Sequence, residues 1–305
     1  GSEMCIRDRL GTCWKFEGLD FCGAGQVENR SCNQELSPVR PQQNFEDLNL
    51  VKPLLRVLKA ENYQEPTPIQ TQAIPIALDG KDILGIAQTG TGKTAAFGLP
   101  ILQILSKIET RPITRSTRAL VLAPTRELVI QIGDAIRTYG REVPLRYTVI
   151  YGGVSQNPQV KAMKRGVDIL VATPGRLLDL IEQKFIRLDQ VSHFVLDEAD
   201  RMLDMGFIPQ VKRIVRGTPR KEDRQTLLFS ATFTQDIMNL ARQWTFEPIT
   251  VEIEPERVAT ASVDQKVYLV SSRERFPVRV DLLNGTAVES VIVFANRRDQ
   301  VRRLY

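Results

Sequence analysis

The sequence predicts an α/β fold of the doubly wound class, with a mostly parallel sheet. From Phe45 onward, short runs of Val, Ile and Leu alternate with segments in which apolar residues recur at helical spacing. The runs are apolar throughout rather than at every second position. Continuous apolarity is typical of parallel strands that helices cover on both faces.

Seven strands are predicted in the larger part of the chain. They are residues 82–87, 118–123, 146–151, 168–172, 193–196, 225–229 and 249–253. Residues 51–60 form the first clear helical segment, and Asn62 follows it. Because Asn is second only to Gly in the left-handed conformation that ends many helices, we expect Asn62 to take that conformation.

The chain of 305 residues has room for one large domain and part of a second. We expect an irregular tail over residues 1–40, a first domain over 41–254, a linker over 255–264 and the start of a second domain over 265–305. In that last part the predictions are strands at 267–270 and 291–294 and a helix at 274–283. So short a segment cannot complete an α/β domain, so the second domain is expected to be truncated or to need a partner.

Composition excludes several classes of protein. With 42% hydrophobic and 25% charged residues, the chain is expected to be an ordinary globular protein rather than a disordered or membrane one. No apolar run approaches the length of a membrane span and no signal peptide is evident, so we expect a cytoplasmic protein without a membrane partner. All four cysteines lie in the tail without C-x2-C spacing, which argues against zinc, and Gly1-Ser2 resembles a cloning remnant. The net charge of +5 suits a polyanionic partner but does not require one.

The octapeptide Ala87-Gln-Thr-Gly-Thr-Gly-Lys-Thr94 follows a predicted strand and precedes a helix, which is the context of a phosphate loop for nucleoside triphosphates. Its backbone N–H groups and the helix N-terminus favour phosphate oxygens. Lys93 is predicted to contact the β- and γ-phosphates and Thr94 to place its hydroxyl on Mg²⁺. The other predicted nucleotide contacts are Gln88, Thr89, Gly90, Thr91 and Gly92. A glycine-rich turn without a ligand would explain the glycines but not Lys93-Thr94. Because Ala87 replaces the usual Gly, it must have a conformation open to L-residues.

Two acidic residues, Asp197 and Glu198, directly follow the predicted strand 193–196. Asp197 is predicted to hold Mg²⁺, usually through water, as the acidic partner of the phosphate loop. Glu198 is predicted to polarise the water that attacks the γ-phosphate. Simple helix capping is the alternative for these acids, and the phosphate loop favours the catalytic interpretation. His193, the only histidine, is expected to be structural.

Five motifs in order identify a family resemblance. They are AQTGTGKT at 87–94, PTREL at 124–128, TPGR at 173–176, DEAD at 197–200 and SAT at 230–232. From Asn44 to Tyr305 the chain resembles the DEAD-box ATP-dependent RNA helicases, and the wording at 171–180 and 195–207 is most similar to the bacterial RhlE-type subgroup. The resemblance implies RecA-like domains, ATP and Mg²⁺ as cofactors, and RNA as a partner.

The resemblance also assigns individual residues. Gln70, at the end of the Q motif (65–70), would read adenine through its amide, and Phe45 would pack on the base. RNA phosphates would be bound at Pro124, Thr125, Arg126, Gly152, Gly153, Thr173, Pro174, Gly175 and Arg176. Such contacts predict sequence-independent, salt-sensitive binding. Thr173 is expected to cap a helix over 177–183, with Pro174 in its first turn, and ordinary capping is the alternative for each of these motifs taken alone.

Coupling between ATP and RNA is assigned by resemblance to Asp200, Ser230 and Thr232. Ser230 and Thr232, two apart at a strand end, are expected to share a face. No His follows position 193, so the family's arginine-bearing block, which begins with His, is expected to be absent. We therefore expect the 305-residue chain to bind ATP and RNA weakly, to hydrolyse ATP very slowly and not to unwind RNA by itself.

Two other functions remain open from the sequence. One is a DNA translocase of the same superfamily, which shares the phosphate loop but not the Q motif together with DEAD. The other is a non-catalytic RNA-binding fragment. The specific RNA, the process, any ribosome or RNA-decay partner and the oligomeric state are not determined by the sequence.

Overall fold

A computed structural model of the chain describes residues 44–253, together with 271, 277, 278, 280–282 and 302. These residues lie in one compact unit, Gln43–Tyr305. The strands are β1 (Ile83–Ile86), β2 (Thr117–Leu122), β3 (Tyr147–Ile150), β4 (Val167–Ala172), β5 (His193–Leu196), β6 (Gln225–Ser230) and β7 (Ile249–Glu252). They form one parallel sheet in the order β3-β4-β2-β5-β6-β1-β7.

Helices connect the strands on both faces of the sheet. They are α1 (Lys52–Ala60), α2 (Pro68–Leu78), α3 (Lys93–Ser106), α4 (Arg126–Tyr139), α5 (Asn157–Met163), α6 (Pro174–Glu182), α7 (Ala199–Asp204), α8 (Ile208–Arg216) and α9 (Gln235–Trp244). Short 3₁₀ turns span Phe45–Leu48 and Lys221–Asp223. The predicted doubly wound α/β fold is thus confirmed, and all seven predicted strands are present with ends that differ by at most one residue.

Two apolar cores cover the sheet because successive strand residues point to opposite faces. In β2, Val121 belongs to the core under α2, α3 and α4, whereas Leu120 and Leu122 belong to the core under α6, α8 and α9. Strands β1, β2, β4, β5 and β6 are buried almost throughout, as their continuous apolarity predicts. The edge strands β3 and β7 are only partly buried.

The end of α1 confirms the expectation for Asn62, which has a φ of 59°. Its N–H donates to the carbonyl of Lys59 at 3.2 Å, and the N–H of Tyr63 donates to the carbonyl of Leu58 at 3.0 Å. These two bonds are the Schellman pattern of a helix C-terminus, which requires a left-handed residue at this position.

Several predictions fall outside the described residues. They concern the tail over 1–40, the linker over 255–264 and the strands at 267–270 and 291–294. Within the predicted helix 274–283, residues 277, 278 and 280–282 are helical. Over the part of the chain that the structure covers, no helix has the length and apolarity of a membrane span.

Candidate nucleotide site and adjoining anion surface

The phosphate loop connects β1 to α3, and its conformation depends on two glycines. Gly90 and Gly92 have φ values of 86° and 90°, a region that L-residues rarely adopt. Ala87 is not among the described residues with positive φ, as expected for an L-residue at the start of the loop. Lys93 is 6% exposed and its ammonium donates to the Ala87 carbonyl at 3.0 Å, so the side chain lies across the loop. Thr94 follows Lys93 in the first turn of α3.

Gln70 packs directly against this loop. Its amide nitrogen donates to the Gly92 carbonyl at 3.1 Å, and its amide oxygen accepts from the Thr67 N–H at 3.1 Å. A Cβ at position 92 would lie 2.2 Å from the Gln70 amide nitrogen, so a side chain there would displace the Gln70 amide as well as strain the backbone. Gln70 is therefore held rigidly beside the loop, with one amide hydrogen and one oxygen lone pair left for a ligand.

Phe45 lies close to the same region but is largely buried. It is 4% exposed and packs edge-on against Tyr63, with ring centroids 6.4 Å apart. Only a small part of the ring faces solvent. The packing of Phe45 on a nucleobase stays a prediction.

The acidic cluster lies where β5 ends. Asp197 is 3% exposed, and burial raises the pKa of its carboxyl to about 6, against the opposing effect of the nearby Lys93 charge. Glu198 has a φ of 50°, and its N–H donates to the Asp197 carboxylate at 3.0 Å. The Glu198 carboxylate pairs with Arg201 at 3.2 Å.

The donor set here fits Mg²⁺ better than a metal that needs several protein ligands. No group of three or more His, Cys, Asp or Glu converges among the residues that the structure covers. One hydroxyl, from Thr94, and one carboxylate, from Asp197, suffice for Mg²⁺, which keeps several waters and takes phosphate oxygens as further ligands. Asp197 and Lys93 are close enough for their charges to interact, so the loop and the acid belong to one site.

Hydrogen bonds link this site to the end of β6. The Ala87 N–H donates to the Ser230 carbonyl at 3.0 Å, and the Asp200 carboxylate accepts from the Ala231 N–H at 3.1 Å. The expectation that Ser230 and Thr232 share a strand face is wrong, because β6 ends at Ser230. Ser230 is fully buried and Thr232 is exposed, and the Thr232 N–H donates to the Ser230 hydroxyl at 3.3 Å.

The PTREL segment and Gly152-Gly153 come together at the carboxyl edge of the sheet. Thr125 caps α4 by accepting from the Leu128 N–H at 3.2 Å. The Arg126 guanidinium lies 5.2 Å from the centre of the Tyr151 ring. Gly153 has a φ of 79°, and a Cβ there would lie 3.1 Å from an Arg126 nitrogen. Pro124 is buried, so its side chain is not exposed at this surface.

The TPGR segment lies beside them, at the end of β4. The helix it begins is α6, which starts at Pro174, three residues before the predicted start, because Pro174 has the φ that suits a first helical position. Thr173 occupies the N-cap position without the expected side-chain bond, while its N–H donates to the Ile150 carbonyl at 2.9 Å. Arg176 donates to the Val154 carbonyl at 3.1 Å, which ties Gly175-Arg176 to the loop after Gly153.

Two partners of predicted site residues were not anticipated. Arg201, in the first turn of α7, and Tyr151, as the ring under Arg126, are identifiable as partners only once the fold brings them together. The contact between Thr67 and Gln70 could have been predicted from the sequence, because Thr-x-x-Gln spacing at 67–70 is a known helix-start pattern. His193 is structural as predicted: its ring nitrogen is 2.9 Å from the Ser192 hydroxyl, and burial lowers its pKa to about 4.

Comparisons with known proteins agree with this geometry. The DEAD/DEAH box helicase family model matches residues 67–240. The ATP-dependent RNA helicase RhlB of Pseudomonas putida is 48% identical over 275 residues, which are 87% of this chain and 68% of RhlB. The DEAD-box ATP-dependent RNA helicase CshA of Streptococcus pneumoniae is 44% identical over 260 residues, 85% of this chain and 48% of CshA.

Among solved structures, the chain is similar to a DEAD box protein from the hyperthermophile Methanococcus jannaschii. The TM-score is 0.64 at 36% identity, and the match covers 79% of this chain and 63% of the other. The chain thus spans about half to two thirds of the proteins it matches. Because the curated relatives are named RhlB and CshA, the predicted RhlE-type subgroup is not confirmed.

Proposed function

Because the chain belongs to the DEAD/DEAH box helicase family, we propose that it binds ATP with Mg²⁺ at the phosphate loop and RNA at the adjoining surface, as part of an ATP-dependent RNA helicase. The observation that carries the proposal is the hydrogen-bonded unit of loop, acids and strand end. Lys93 and Ser230 both bond Ala87, Asp200 bonds the Ala231 N–H, and the charge of Lys93 acts on Asp197. The loops after β2, β3 and β4 lie along the same edge of the sheet.

In this proposal Lys93 exchanges its bond to the Ala87 carbonyl for bonds to the β- and γ-phosphates. Thr94 and Asp197 hold Mg²⁺, which when bound neutralises phosphate charge during transfer. Glu198 accepts a hydrogen bond from the attacking water and orients it towards the γ-phosphate. Arg201 holds the Glu198 carboxylate in place, since the two pair at 3.2 Å.

RNA is proposed to lie across the ends of β2, β4 and β3, which are neighbours in the sheet. The groups available there are Arg126, Arg176, the backbone at Gly152-Gly153 and the first turn of α6. Such groups bind phosphates and sugars rather than base edges, which supports recognition without sequence preference. The Asp200–Ala231 and Ala87–Ser230 bonds would transmit a change in the nucleotide to the end of β6.

The test is a pair of binding measurements on the 305-residue chain. Displacement of a fluorescent ATP analogue should show binding of ATP that depends on Mg²⁺, and fluorescence anisotropy should show tighter binding of single-stranded RNA than of DNA of the same sequence. Equal affinity for RNA and DNA would favour the translocase alternative, and failure to bind ATP would favour a non-catalytic RNA-binding module. Very slow hydrolysis by this chain stays a prediction.

Gln70→Ala is expected to weaken ATP binding about tenfold and to remove its preference over GTP, because the amide that would read adenine is lost. The matched control is Gln103→Ala. Gln103 is another buried glutamine whose amide bonds two backbone groups, at Val51 and Asn49, away from the loop. Displacement titrations with ATP and GTP check the prediction. The prediction is contradicted if both variants change the ratio of ATP affinity to GTP affinity equally.

A further inference from the structure

A basic groove runs along the open edge of the sheet. Among the described strands β3 pairs only with β4, and its other edge faces a groove between α4 and α5. We call it the β3 groove and define it by the six cations that line it: Arg115, Arg137, Arg146, Lys161, Lys164 and Arg165. Of the described residues that line it, Asp134 is the one acid, and it pairs with Arg137 at 2.7 Å.

Four of these cations have no ion-pair partner among the residues that the structure describes. Lys161, Lys164 and Arg165 are exposed and Arg146 is half-buried. None of the four side chains makes an ion pair or hydrogen bond with another residue in the part of the chain that the structure describes. Like charges at one surface raise the local positive potential, which favours a polyanion.

The β3 groove opens onto the proposed RNA surface. Tyr151 lines the groove, and its ring also lies under the guanidinium of Arg126. Tyr147, at the start of β3 and four residues before Tyr151, also lines the groove, so two aromatic rings follow the same edge. Gly133 allows α4 to pack tightly against β3, since a Cβ there would lie 2.4 Å from a methyl of Val149. Aromatic rings beside a line of cations are the pattern that binds single-stranded nucleic acid.

We propose that the β3 groove binds RNA that extends beyond the segment held at the carboxyl edge of the sheet. This rests on the proposed function and adds a second stretch of RNA contact to it. Arg146, Lys161, Lys164 and Arg165 would contact phosphates, and Tyr147 would offer its ring to a base. An acidic peptide could also use the open edge of β3. RNA is favoured because the groove is continuous with the surface at Arg126 and Gly153.

The test compares a long and a short single-stranded RNA, of about 16 and about 6 nucleotides, by anisotropy on the 305-residue chain. The groove variant is Lys161→Glu, Lys164→Glu, Arg165→Glu. The control variant, Lys52→Glu, Lys212→Glu, Arg242→Glu, makes the same change in charge at exposed positions that do not line the groove. The groove variant should lose at least about tenfold in affinity for the long RNA, with the slope of log affinity against log salt reduced by about 2.

The short RNA should bind both variants and the unchanged chain alike, which also shows that the variants are folded. Equal binding of the long RNA by groove and control variants would overturn the inference. The inference would also be overturned if the groove variant lost as much affinity for the short RNA as for the long RNA. If a poly-glutamate peptide binds the unchanged chain and not the groove variant while the long RNA is unaffected, the groove is a protein-binding site instead. If the unchanged chain binds neither RNA, the proposed function itself fails, which is a separate result.

Discussion

Asp197→Asn is expected to stabilise the protein at neutral and alkaline pH while removing its Mg²⁺-dependent affinity for ATP. Burial raises the pKa of Asp197 from 3.8 to about 6. The folded state therefore holds a proton more tightly than the unfolded state, so the ionised carboxylate costs stability. That cost is absent below pH 4, grows between pH 4 and 6, and is complete above pH 6. Asparagine removes the charge and keeps an oxygen for the Glu198 N–H.

From the size of the shift we expect the free energy of unfolding to rise by about 1 to 3 kcal/mol at pH 8 and to be nearly unchanged near pH 4. Denaturant melts at the two pH values measure this, and ATP titrations with and without Mg²⁺ measure the loss of metal-dependent affinity. Asp168→Asn is the contrasting control. Its carboxylate bonds Arg118 at 2.9 Å and the Arg146 N–H at 2.8 Å, so its loss should destabilise the fold. Destabilisation by Asp197→Asn at pH 8 would contradict the inference that the buried, ionised carboxylate costs stability.

Lys93→Met should weaken ATP binding about a hundredfold. The ammonium is buried beside the loop with one protein acceptor, the Ala87 carbonyl, and is the charged group in the loop that a triphosphate would meet. One or two charge-assisted bonds of about 1.5 to 3 kcal/mol each account for a change of this size. Methionine keeps much of the length of the side chain, so the loss should come from charge rather than from packing.

The specificity of that effect can be measured with shorter ligands. ADP should also bind Lys93→Met poorly, whereas AMP, which lacks the β- and γ-phosphates, should bind it as well as it binds the unchanged chain. Lys107→Met, at the exposed C-terminal end of the same helix, is the matched control and should leave all three affinities unchanged. An ATP affinity within about threefold of the unchanged chain would mean that Lys93 does not reach the phosphates.

The features that could be predicted from sequence are those that neighbouring residues determine. Strand positions follow from continuous apolar runs, and the predicted bounds of the strand His193–Leu196 agree with the structure at both ends. The phosphate loop is readable because its glycines, lysine and threonine are consecutive. The left-handed conformation of Asn62 could be predicted as well, because it depends on the residue itself and on the two hydrogen bonds around it.

Features that depend on the packing of distant segments could not be predicted. The end of β6 at Ser230 is set by its hydrogen bonds to β1, so Thr232 leaves the strand face that spacing alone assigned to it. The bond from Gln70 to Gly92 and the stacking of Arg126 on Tyr151 join segments whose order in space the sequence does not give. The β3 groove collects cations from positions 115 to 165, none of which forms a motif.

The register of the sheet has a consequence for synthesis on the ribosome. Among the described strands β1 pairs with β6 and β7, so that Ile83 lies opposite Leu227 and Ile249. The nascent chain must therefore carry β1 and the segment after it without a strand partner while β2 to β5 are translated, which at about 5 to 20 residues per second takes several seconds or more. Until then β1 has both edges open, and only its Ile83 face is covered, by α2 and α3. Leu84 and Ile86 on the other face wait for the helices of the second core, α6, α8 and α9. Of the described strands, the first to be synthesised is therefore among the last to enter the sheet, and its apolar surface is open to chaperones until β6 emerges.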